Sequence, residues 1–165
     1  MEIVEFFHKE LIVTNVNVKS NEEIFKILFK KLYDRGFVKK SFLDAIIERE
    51  KTFPTGLSLN KYNVAIPHTD PKHVIKPAVA VATLKKPVVF KNMGDPLESV
   101  NVSIVFMIAL NQSHSQVEAL QQMIQLIQND RLLEKMINSK GGDEINGDEI
   151  ISSIKKNFID QCADI

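Results

Sequence analysis

Apolar residues return at every third or fourth position over two stretches near the start of the sequence. In "NEEIFKILFKKLYDRG" (21–36), Ile24, Ile27, Leu28 and Leu32 fall on one helical face. Asn21 is placed to cap that helix and Gly36 to end it. "SFLDAIIEREKTFP" (41–54) repeats the pattern, with Ser41 as cap, Leu43, Ile46 and Ile47 as the stripe, and Pro54 as the stop. The period then shortens. "NVAI" (63–66) predicts a short strand, and "AVAVATL" (78–84) and "PVVF" (87–90) are apolar runs bounded by Pro77, Pro87 and "NMGDP" (92–96). "KK" (85–86) between those runs suits a tight hairpin. "VNVSIVFMIAL" (100–110) has the β-branched content of a buried strand. Helical spacing returns over 115–128, 130–138 and 148–159, with "GGDEINGDEI" (141–150) as a Gly-rich acidic loop. Two helices, a block of strands and three helices predict an α/β fold. Its natural arrangement is a single mixed β-sheet flanked by helices on both faces, three layers in all. No linker is long enough to divide residues 1–165 into two domains.

Composition narrows the class. The chain has 165 residues, 44% apolar and 25% charged, the profile of a globular domain able to bury its own core. Lys plus Arg and Asp plus Glu both number 21, so no basic excess points to nucleic acid. One cysteine, Cys162, permits no intrachain disulfide and fits a reducing compartment. The most apolar run, 102–110, falls far short of the roughly 20 residues that a spanning helix needs. It lies mid-chain, unlike a signal peptide, so a cytoplasmic location is expected.

Several chemistries lack their motifs. There is no phosphate-binding G-x-x-x-x-G-K-[ST] loop, no G-x-G-x-x-G after a strand and no G-x-S-x-G elbow. Four histidines remain. His8, in "FFHKE", reads as a structural or surface residue. His68, His73, Asp70 and His114 are of zinc-ligand type, but their spacing matches no established metal motif, and Asp70-Pro71 is also an ordinary turn pair. His68 stands apart, because "VAIPH" runs a strand into Pro67 and then presents the imidazole. A neutral imidazole is a nucleophile near pH 7. Spacing alone leaves His68 open between that role and an ordinary loop residue. His114 is expected just before a helix N-terminus, with Ser115 and Glu118 as a capping box. Free N–H groups and the helix dipole there favour an anion, so His68 and His114 can converge on a phosphate.

The order of these segments resembles the enzyme IIA domain of the phosphoenolpyruvate-dependent sugar phosphotransferase system, fructose–mannitol family. The residues that carry the likeness are "ERE", "PTGLSL", "NVAIPHTD", "KPAVAVATLKKPVVF", "VSIVFMIAL" and "HSQVEALQQM", over roughly residues 20–138. "REKTFPTGL" (49–57) is most similar to the galactitol members. The resemblance implies the α/β fold read above. It also implies a phosphocarrier without cofactor or metal, because the phosphoryl group arrives already activated. The phosphocarrier protein HPr, phosphorylated on a His, would pass it to His68. From there it would go to a Cys of enzyme IIB, and the membrane subunit IIC would deliver it to the sugar. His114 matches the family's second active-site His and would stabilise the phosphoryl oxygens. Arg49 would pair with phosphate or an acidic partner residue, and Thr55, beside Gly56, would offer a hydroxyl. The sequence departs from many relatives after the histidine, where Thr69 and Asp70 stand in place of a small neutral residue. The Asp70 carboxylate is expected either to orient the imidazole or to repel phosphate.

Two other functions compete. A regulatory IIA-like module that signals its phosphorylation state by protein binding would keep the same "IPH" element. A metal hydrolase would use His68, Asp70 and His73. Without a DNA-binding or membrane segment, the chain is expected to be a separate IIA polypeptide with exposed apolar residues around His68.

Overall fold

The computed structural model describes residues 3–139 and 143–163, with the side chains of 113–115, 143–146 and 158–163 outside that description. A strand comes before the first helix. β1 (Phe7–Val16) follows a 3-10 turn, Ile3–Phe6, and was not legible as an element. Helices α1 (Asn21–Asp34) and α2 (Phe42–Thr52) lie where their stripes put them. Their caps differ from expectation. Ser20, not Asn21, accepts the Glu23 N–H at the start of α1, and the Ser41 side chain makes no capping bond to α2. Two very short strands follow, β2 (Gly56–Leu57) and β3 (Val64–Ala65).

The predicted hairpin within 78–90 does not form. β4 (Ala78–Lys91) runs through as one strand and turns back into β5 (Ser99–Ala109). The pairing of Thr83 with Ile104 and then Val88 with Val102 leaves residues 84–87 as a bulge opposite Ser103. Pro87, which cannot donate to a ladder, falls in that irregular stretch. The turn chemistry lies further on, at Asn92 and Asp95. The Asn92 amide oxygen and the Asp95 carboxylate accept the N–H groups of Gly94 and Leu97 respectively.

The sheet order is β1-β4-β5-β3-β2, with β1–β4 and β3–β5 parallel and the other two pairs antiparallel. Alternation along the strands splits the core in two. Val79, Val81, Ile104, Phe106 and Ile108 pack with α3 (Ser113–Ile127), α4 (Asp130–Asn138) and α5 (Asp143–Ala163). Ala78, Ala80, Ala82, Val105 and Met107 pack with α1 and α2 on the opposite face. This is the mixed sheet with helices on both sides that the pattern predicts.

α5 begins at Asp143, so most of the expected acidic loop is helix, and residues 140–142 lie outside the described ones. Gly147 explains why a glycine-containing segment still goes helical here. A Cβ at that position would lie 3.1 Å from Lys9 Cβ and 3.3 Å from Lys9 O. The helix therefore rests directly on the β1 backbone, and tertiary contact overrides a weak propensity of about 1 kcal/mol.

Candidate functional site

Hydrogen bonds at the ends of β3 and β5 fix where His68 stands. Pro67 gives up only a donor, and its carbonyl still accepts the Ile108 N–H at 2.9 Å. His68 bridges Ile108 across the sheet. Val64 and Ile66 face the layer of α3, α4 and α5, and His68 continues that alternation at the strand's end, half-buried. Its Nδ1 lies 2.8 Å from the Ile66 carbonyl oxygen. A carbonyl can only accept, so Nδ1 carries the proton and Nε2 keeps the lone pair. Burial pushes the imidazole pKa below its usual value; the Ile66 contact opposes this and the Arg49 charge adds to it. Near neutral pH the ring is neutral, with one nucleophilic nitrogen.

α3 comes to the same place. Gln116 Nε2 donates to the Thr69 carbonyl at 3.0 Å, joining the first turns of α3 to the residue after His68. The helix starts earlier than the sequence suggests. Gln112, in extended backbone, is the N-cap, and the first helical bond runs from Gln116 N–H to Gln112 O. His114 is therefore inside the first turn rather than before it, and Ser115 is not a cap. The capping-box pattern was matched three residues too late. The backbone N–H groups of that turn have no carbonyl within the helix to bond, and they favour an anion. The His114 side chain lies outside the described residues.

Arg49 is exposed near the end of α2, its guanidinium 5.0 Å from the centroid of the Phe53 ring. Thr55 is only 1% exposed, and its hydroxyl faces the carboxylate of Glu50, at 2.9 and 3.1 Å from the two oxygens. The Thr55 N–H bonds Glu50 Oε1 at 2.9 Å. Glu50 was missed as a site residue, although a carboxylate directly beside Arg49 and five residues before a Thr-Gly pair was the available signal. Burial raises its pKa from 4.5 to about 7, against the lowering effect of the Thr55 bonds.

Asp70 does not orient the imidazole. Its carboxylate accepts the Lys72 N–H and caps the 3-10 turn Pro71–His73, while the Ile66 carbonyl holds the ring. His73 Nδ1 lies 2.8 Å from Ser41 Oγ, and His8 stacks on Phe37. Among the described residues, no group of three or more His, Cys, Asp or Glu side chains is placed to hold a metal. Among the same residues, no helix is long and apolar enough to cross a membrane.

Glu50 gives a pH prediction. Its folded pKa is above its unfolded value, so its stabilising effect is complete below about pH 4.5 and is lost as pH rises through about 7. Glu50→Gln removes this dependence. From pH 5 to pH 8, Glu50→Gln should gain ~2 kcal/mol of stability relative to the parent chain, measured by urea unfolding. A difference that stays flat with pH would mean that Glu50 ionises normally.

Residues 5–153 match the family described as phosphoenolpyruvate-dependent sugar phosphotransferase system, EIIA 2, and the chain belongs to that family. The mannitol-specific phosphotransferase enzyme IIA component of Mycoplasma pneumoniae is 28% identical over 150 residues, covering 90% of this chain and 96% of the relative. The galactitol-specific EIIA component of Escherichia coli K12 is 26% identical over 131 residues, 76% of this chain and 87% of that one. Other relatives are much longer. The chain spans 22% of the fructose-specific EIIABC component of Bacillus subtilis, at 27% identity over 88% of its own length.

Solved structures agree on the fold. The complex of mannitol enzyme IIA with phosphorylated enzyme IIB from Escherichia coli gives a TM-score of 0.66 at 21% identity, covering 88% of this chain and 96% of that one. The nitrogen regulatory protein IIA-Ntr from Neisseria meningitidis gives 0.68 at 21% identity, covering 92% and 98%.

Proposed function

We propose that residues 1–165 act as one IIA domain, a cytoplasmic phosphocarrier that takes a phosphoryl group from phospho-HPr on His68 and hands it to a cysteine of enzyme IIB. The observation that carries this reading is the His68 ring itself, neutral and held by Nδ1 so that Nε2 is free. In the accepting step the Nε2 lone pair attacks phosphorus. An N–P bond forms as the donor's P–N bond breaks, and the donor imidazole leaves. His68 keeps its Nδ1 proton, and the positive charge on the ring is met by the Ile66 carbonyl. A IIB thiolate then attacks the same phosphorus, and His68 leaves as neutral imidazole. Arg49 and the first turn of α3, with His114, meet the charge on the phosphoryl oxygens. Thr55 acts at one remove, because its hydroxyl is engaged by Glu50.

Exposed Phe53, Ile75 and Val117 come from segments that adjoin the His68 loop and supply an apolar rim for two successive partners. Those partners must reach one nitrogen, so their footprints overlap. HPr and IIB should compete for this protein in titration, each binding transiently, whereas simultaneous binding of both would contradict a shared face. The cargo is a sugar or sugar alcohol, with galactitol favoured by "REKTFPTGL" and by the galactitol-specific relative.

The direct test is incubation with phosphoenolpyruvate, enzyme I and HPr, followed by addition of IIB. Acid-labile phosphate should appear on the peptide containing His68 and leave on IIB addition. A second reading, regulation by protein binding, draws on the likeness to IIA-Ntr. Uptake of phosphate from HPr with no discharge to any IIB would favour it.

A further inference from the structure

A continuous chain of hydrogen bonds leads from a buried carboxylate to the His68 ring. Glu50, 8% exposed, accepts the N–H and faces the hydroxyl of Thr55. The Thr55 carbonyl accepts the Ile66 N–H at 3.2 Å. The Ile66 carbonyl then accepts from His68 Nδ1 at 2.8 Å. Thr55 and Ile66 are each 1% exposed, so water has little access to either end of that peptide link.

The Ile66 carbonyl can select the ring tautomer only if it stays where it is. Backbone pairing between β2 and β3 covers just Gly56–Ala65 and Leu57–Val64. Beyond that short ladder, the Thr55–Ile66 bond extends the register, and Glu50 is what anchors Thr55 from the helix side. We propose that Glu50 is a positioning residue, fixing through Thr55 and Ile66 which nitrogen of His68 is left free to react. It touches no substrate. The role requires a hydrogen-bond acceptor at this position, which glutamine also supplies.

This inference rests on the phosphocarrier reading for its consequence, but its first readout is independent of phosphate. In 15N-labelled, unphosphorylated protein at a pH where the imidazole is neutral, long-range 1H–15N spectra report which ring nitrogen is protonated. The parent chain should show His68 protonated at Nδ1. Glu50→Ala, or Glu50→Met, which keeps the volume, should shift His68 toward protonation at Nε2 while leaving His8 and His73 unchanged. Both should slow acceptance from phospho-HPr by roughly 10- to 100-fold, the scale of a misaligned reacting group. Glu50→Gln should restore both the tautomer and the rate. Whichever deletion variant folds carries the reading. An unchanged His68 tautomer in that variant would overturn the proposal, and so would a Glu50→Gln variant that folds but shifts the tautomer. If the tautomers behave as expected and HPr transfers nothing to the parent chain, the phosphocarrier reading fails and the positioning role stands.

Discussion

His68→Ala is expected to abolish phosphoryl uptake, whereas His114→Ala is expected to slow it by ~100- to 1000-fold. The two histidines stand in different relations to the phosphorus. His68 supplies the nucleophilic nitrogen at the end of β3, held in one tautomer by Ile66. An alanine there leaves nothing to bond to phosphorus. His114 is on the first turn of α3; as the proposed donor to the phosphoryl oxygens, its removal would take away one hydrogen bond while the backbone N–H groups of that turn remain. Losing a single preorganised donor costs about 3–4 kcal/mol of transition-state stabilisation, which sets the range given. Rapid-quench transfer from phospho-HPr to each variant separates the cases. A His68→Ala variant that still took up acid-labile phosphate, beside an inert His114→Ala, would reverse the assignment.

Gly56→Ala is expected to cost about 3 kcal/mol of stability and to impair the site with it. A Cβ there would lie 2.6 Å from the Lys91 carbonyl oxygen and 3.1 Å from Phe90 Cβ. The first of these is backbone, so no side-chain rotation relieves the clash. Gly56 also bridges Asn92, and its carbonyl accepts the Met93 N–H at 2.8 Å, which ties β2 to the far end of β4. Pushing β2 outward carries Thr55 with it, and Thr55 is the link between Glu50 and Ile66. Urea unfolding should show the loss of stability. The same His68 spectra should show a mixed tautomer in the folded variant. A Gly56→Ala chain with unaltered stability would mean that β2 is free to shift.

Much of this was legible because it depends on short-range periodicity. α1, α2 and α4 follow from apolar stripes, and the β-branched run of β5 marks a buried strand. "IPH" ends β3 with an aimed histidine because proline acts locally. What escaped depends on partners distant in sequence. β1 is an edge strand with breaks in register and a residue, Asn15, at φ 54°, so its apolar positions never settle into alternation. The bulge at 84–87 reads like a hairpin because Lys85, Lys86 and Pro87 are turn-compatible, and only pairing with β5 shows that the strand continues. The site divides the same way. His68 stands out by type and context and Arg49 only through the family resemblance, whereas Glu50 looks like one more surface charge on α2. Its burial appears only when Thr55 folds back against it. Asp70 looks like an imidazole partner in sequence and turns instead to the backbone of Lys72.

The central claim is that His68 Nε2 carries the phosphoryl group. The most direct measurement is a 15N–31P correlation spectrum of the chain after incubation with phosphoenolpyruvate, enzyme I and HPr. Coupling of phosphorus to Nε2 of His68, with Nδ1 still protonated, is the predicted result. Phosphorus bonded to Nδ1 of His68, or to another residue, would contradict it.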